Sequence, residues 1–109
     1  QWYKKQALTD YSRRIELFAA KLGVDTPSLK LSNAQSSWGS CTSRGNIRLN
    51  WRLLQAPPSI INYVTCHELA HLKEMNHSAQ FWTVVGSIYP DYKVAEKALK
   101  QLSHQLHRM

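Results

Sequence analysis

Two histidines and a glutamate interrupt an apolar run in CHELAHLKEMNHS, residues 66 to 78, and a third histidine follows them, at positions His67, Glu68, His71 and His77. His67 and His71 are four residues apart. On an α-helix their rings therefore leave one face about one turn apart and can share a tetrahedral ion. Neutral imidazole suits zinc, whereas magnesium and calcium prefer oxygen ligands. Glu68 adjoins His67 and can reach the outer side of a metal-held water without ligating the ion, as a general base must. The expected chemistry is hydrolysis, in which zinc lowers the pKa of water to about 7 and Glu68 carries its proton to a leaving amine. A helix with two satisfied histidines and an exposed glutamate is the plainer reading. It fits less well because Cys66, Leu69, Ala70 and Leu72 make the setting apolar, where a solvated helix surrounds histidines with charge.

A catalytic zinc keeps three protein ligands and one open position. His77 lies ten residues after His67, the spacing of H-E-x-x-H-x-x-G-x-x-H, and is the leading third ligand. Glu74 stands at the glycine position of that pattern, so the return turn must be made differently, with Asn76 as the residue able to adopt a left-handed conformation. Asp91 and Glu96 are the alternative ligands, and a surface histidine beside a helix cap is the plain reading of His77. His104 and His107 sit three apart in a basic tail and are read as solvated.

The elements that must position these residues follow from periodicity. Leu8, Tyr11, Ile15, Phe18 and Leu22 recur at helical steps, which predicts a helix over residues 5 to 22, ended by Gly23. Leu29 and Leu31, then Ile47, Leu49 and Trp51, alternate as half-buried strands do. SSWGSC is read as a strand between them, doubling back through TSRGN, so a small antiparallel sheet is expected. Pro58 or Ser59 opens a helix running to about Met75 that carries the histidines and buries Ile60, Ile61, Val64 and Leu72. Ser78 caps the next helix, Pro90 breaks it, and Asp91 caps a last one with Val94, Ala95, Ala98, Leu99, Leu102 and Leu106 on its apolar face. The expected fold class is α+β, a zincin-like minimal catalytic domain.

The 109 residues suffice for one domain, 1 to 109, with one core. Fourteen Lys and Arg against seven Asp and Glu give a net charge of +7, which favours acidic partners such as nucleic acid. Lys93, Lys97, Lys100 and His104 form a stripe on the last helix that suits a nucleic-acid backbone, although such a stripe is more often a solvated face. No apolar run is long enough for a bilayer. Two cysteines, Cys41 and Cys66, are too few for a disulfide framework, so free thiols in a cytoplasmic protein are expected, with one bridge as the alternative. Gln1 stands first in place of Met, which leaves room for an upstream segment.

The run WGSCTSRGNIRLNWRLLQAPPSIINYVTCHELAHLKEMNHSAQFWTVV, followed by YPDYK, resembles the YgjP-like family of zinc-dependent metallopeptidases, distant relatives of the SprT-like and WLM peptidases. The likeness covers nearly the whole chain, and the combination of W-G-S-C, L-N-W-R-L, H-E-L-A-H-L and N-H-S-x-x-F-W is specific. It implies that His67, His71 and His77 hold one Zn2+, that Glu68 is the catalytic acid and base, and that the substrate is a peptide or protein. Ser37 departs from the basic residue that members often carry before W-G-S-C, and an upstream β-rich portion found in longer members is missing from this sequence.

In H-E-x-x-H peptidases a strand bordering the cleft pairs with the extended substrate; residues 37 to 41 or 46 to 51 are the candidates. Arg48 and Arg52, read as sharing one side of the second strand, would favour acidic peptides, with solvated arginines an equal reading. Trp38, Trp51, Phe81 and Trp82 are assigned to the core, and Tyr89 or Tyr92 to oxyanion stabilisation. Met75 and Met109 offer no counterpart to a methionine turn. The competing functions are a nucleic-acid-associated protease or zinc-binding module, and a hydrolase of non-peptide substrates.

Overall fold

The computed structural model describes residues 2 to 33 and 37 to 107, with side chains in the last helix described as far as Ser103. The order is α1 (Trp2–Leu22), β1 (Ser28–Ser32), β2 (Gly39–Cys41), β3 (Asn46–Asn50), a 3-10 turn (Trp51–Gln55), α2 (Pro58–Ala70), α3 (Ala79–Ile88) and α4 (Tyr92–His107). α1 buries Ala7, Tyr11, Ile15, Phe18 and Ala19, a stripe at helical steps. Leu8, expected on that stripe, is exposed at its margin. Gly23 ends the helix at φ +80°, where its amide and that of Val24 both donate to the Ala19 carbonyl, a closure that needs a left-handed residue.

The α+β class holds, but the sheet is mixed. Its order is β1-β3-β2: β3 lies in the centre, parallel to β1 and antiparallel to β2. Alternation reports which face each residue takes and is blind to strand direction, so the wholly antiparallel expectation fails at β1. The β2–β3 turn is as expected, with Gly45 at φ +84°. Trp51 does not extend β3. The Asn50 side chain accepts from the Arg52 amide and opens the 3-10 turn there, while Tyr11 donates to the Asn50 carbonyl and Asn50 Nδ2 to that of Ser37. Arg48 is thus exposed on β3, whereas Arg52 bonds Asn33 and lies over the Trp51 ring; the two do not share a strand face.

α2 packs against α1, α3, α4 and β2 and is buried on almost every side, as a helix apolar all round must be. It starts with Pro58 at its first turn and stops at Ala70, five residues short of the expected end. Ser78 caps α3 and α4 follows Pro90, as expected. On α4 Ala95 is buried and Ala98, Leu99 and Leu102 are half-buried, but Val94 is 74% exposed. Leu106 and Met109 lie outside the described side chains. Cys41 and Cys66 are both free, the first half-buried and the second buried; burial pushes the Cys66 thiol up to about 12.

Candidate metal centre

The last turn of α2 and the segment after it bring three imidazoles together. One ring nitrogen from each of His67, His71 and His77 lies within 4.8 Å of the other two, and no other such group of three occurs among the described residues. His71 Nδ1 lies 3.1 Å from the Glu74 carbonyl and His67 Nδ1 lies 3.2 Å from Glu68 Oε2. A neutral ring that donates through Nδ1 to such an acceptor keeps its Nε2 lone pair for a metal. His77, although largely exposed, is held below the ordinary histidine range, first by partial desolvation and then by His67 and His71, which favours the uncharged form that can ligate. Three neutral nitrogen donors fit zinc and leave one position free, the pattern of a catalytic site.

Helix termination makes the convergence. α2 ends at Ala70, and the amides of Leu72, Lys73 and Glu74 then donate back to Leu69 and Ala70, so the chain winds down in tight turns without a glycine. Asn76 is not left-handed: among the described residues no non-glycine has positive φ. Ser78 caps α3 by accepting from the Phe81 amide, which leaves His77 just before the helix. Phe81 is fully buried, and its ring packs against His67, His71 and His77 with centroids 5.0, 4.6 and 4.9 Å away. Trp82 stacks along His77, and Tyr92 stacks on Trp82. Phe81 was legible only as core, and its contact with all three rings was missed.

The other proposed ligands lie elsewhere. Glu96 accepts from the Tyr63 hydroxyl, and exposed Asp91 precedes α4. His104 and His107 fall outside the described side chains, and Met75 is exposed.

Glu68 is only 6% exposed, buried between α2 and β2. A Cβ on Gly39 would come 3.0 Å from Leu49 Cδ2, 3.1 Å from Glu68 Cγ and 3.2 Å from the Arg48 carbonyl. The glycine of W-G-S-C therefore lets the carboxylate lie against β2, a role that its place in the motif did not reveal. Next to Glu68 a cavity of about 170 Å³ opens, and Trp38 and Tyr63 line it. Trp38 is thus wall as well as core, while Trp51 and Trp82 pack half-buried against the core. Tyr89 meets Phe18 edge-on, so Tyr63, which sequence reasoning passed over, is the phenol beside His67. Burial, and then Glu96, raise its pKa. Of the two strands offered as a substrate edge, residues 46 to 50 are central, whereas β2 is an edge strand of the sheet among the described residues, as β1 is on the other side.

The chain matches the YgjP-like, metallopeptidase domain family over residues 1 to 102. It belongs to that family. Two solved structures are similar to this YgjP-like chain. The metallopeptidase zymogen abylysin of Pyrococcus abyssi superposes with a TM-score of 0.75 at 24% identity, over 89% of this chain and 95% of that one. The zymogen jannalysin of Methanocaldococcus jannaschii gives 0.71 at 17%, over 87% and 96%. At these identities the likeness is one of fold. A curated relative, described as UTP pyrophosphatase of Escherichia coli (strain K12), is 29% identical over 86 residues, 79% of this chain and 48% of that protein. The YgjP-like chain thus spans about half the length of that relative. Family and fold together support a hydrolase of the metallopeptidase type, and such a domain implies a metal. No helix among the described residues is long and apolar enough to cross a membrane.

Proposed function

We propose that residues 1 to 109 form one zinc-dependent peptidase unit, with His67, His71 and His77 holding a single zinc ion and Glu68 moving the proton. The observation that carries this reading is the convergence of three imidazoles beside a buried carboxylate. Zinc, when bound, supplies Lewis acidity, polarising a carbonyl oxygen and lowering the pKa of water to about 7. Glu68 takes a proton from the attacking water and delivers it to the amine nitrogen as the C–N bond breaks. Gly39, lacking a side chain, leaves the room that the Glu68 stem occupies against β2. The free edge of β2 aligns an extended substrate through backbone hydrogen bonds, which orient a peptide without reading its sequence.

Gly39→Ala tests the positioning of Glu68. The added methyl meets the Leu49 side chain, the glutamate stem and the Arg48 carbonyl, all at 3.0 to 3.2 Å. Turnover is expected to fall by up to about 10²-fold, the scale of an ångström's misplacement, with zinc content unchanged. A variant as active as the parent would remove this role.

A second reading is favoured by the curated relative described as a UTP pyrophosphatase, since the same centre could direct water to a phosphoanhydride. The comparisons do not favour the nucleic-acid-associated alternative. Protein loaded with one equivalent of zinc, offered a peptide library and UTP in parallel, separates the readings. Peptide cleavage that a chelator abolishes and zinc restores is expected. Pyrophosphate release from UTP with every peptide left intact would replace the peptidase by the second reading.

A further inference from the structure

The cavity beside Glu68 has a polar and an apolar part to its lining. Glu68 and His67 form the first; Trp38, Tyr63, Val64 and Leu99 form the second, with Gly39 at the margin. Three separate elements contribute: the approach to β2, the middle of α2, and α4. Both aromatic walls are tied to α4. Trp38 Nε1 donates to Ser103 Oγ at 2.5 Å, and the Tyr63 hydroxyl donates to Glu96 Oε2 at 3.3 Å. With those polar atoms engaged, the two residues offer ring surface to the cavity, and its shape is set before anything binds. Little ordering remains to oppose a ligand.

Size and charge select the occupant. A dry aliphatic cavity of roughly 150 Å³ holds one benzene, so about 170 Å³ accepts a leucine, methionine or phenylalanine side chain. An acidic side chain would be driven against the Glu68 carboxylate. A small side chain would leave most of the space unfilled.

We propose that this cavity is the specificity pocket of the peptidase, receiving one uncharged apolar side chain of leucine to phenylalanine size from the substrate residue beside the scissile bond. This rests on the peptidase reading above. The carboxylate that moves the proton is part of the pocket wall, so a side chain seated in the pocket lies next to Glu68. Leu99, contributed by α4, is part of the apolar lining, so its size changes the room available.

Two measurements test it, one independent of catalysis. In the first, N-acetyl-leucinamide, N-acetyl-phenylalaninamide and N-acetyl-aspartamide are titrated into the protein while the indole N–H resonance of Trp38 is followed. Saturable shifts are expected with the first two and none with the third. In the second, zinc-loaded protein cleaves peptides that vary at one position flanking the scissile bond, and Leu or Phe there is expected to raise kcat/KM at least about ten-fold over Ala or Asp. Leu99→Ala should move the optimum to Trp, and Leu99→Trp should erase the preference; the two bracket the effect if either folds poorly. Cleavage indifferent to that position, with no shift of the indole by any amide, would overturn the pocket and leave the peptidase standing. Amide binding that follows the Leu99 variants, with no peptide cleaved, would sink the peptidase reading and retain the ligand class of the cavity.

Discussion

Glu68→Gln is expected to keep the metal and to lower peptide hydrolysis by about 10²- to 10⁴-fold, the range for removing a general acid–base group. The amide has nearly the shape of the carboxylate, so it fills the same space against Gly39 and β2. Its oxygen can still accept from His67 Nδ1, the contact now made at 3.2 Å. What it cannot do is take a proton from water. Because the side chain is buried, the neutral amide also removes a desolvated charge, so the folded state should not suffer. Metal content measured on the same samples as kcat separates the two roles. Full activity in a zinc-loaded Gln variant would remove Glu68 from the mechanism.

His77→Ala is expected to strip the site of its third nitrogen and lower zinc affinity beyond the 10- to 100-fold that an outer-shell change typically costs. Two imidazoles from one helix remain, too few for the three protein ligands of a catalytic zinc. His77 is exposed and precedes α3, so the metal-free variant should keep its fold and its circular dichroism. Asp91→Ala and Glu96→Ala are the controls. Both carboxylates lie outside the histidine group, and both variants should retain one zinc per chain. If His77→Ala held stoichiometric zinc while Glu96→Ala lost it, the ligand set would be wrong.

Signals confined to a few neighbouring residues were readable from the chain alone. Gly23 and Gly45 both take positive φ, Pro58 opens α2, and Ser78 caps α3, because each is a steric or hydrogen-bonding property of the residue and its immediate neighbours. The one-turn separation of His67 and His71 belongs to the same kind of signal, since helix geometry relates their side chains directly. The end of α2 was misjudged because the apolar pattern continues through Leu72 and Met75; the chain leaves the helix at Ala70 all the same, held by turns and by packing around Phe81.

Residue types and short spacings were therefore enough to single out the three histidines that the fold brings together, the glutamate beside them and the helix that bears His67 and Glu68. They could not specify the parallel pairing of β1 with β3, the lodging of Glu68 against Gly39, or the tie between Trp38 and Ser103, 65 positions apart. Alternation and capping act over a handful of bonds, whereas strand direction and cavity walls depend on which distant surfaces meet when the core closes. The histidines and the glutamate are set close by local geometry; the cavity beside them is made by chain segments that meet only on folding.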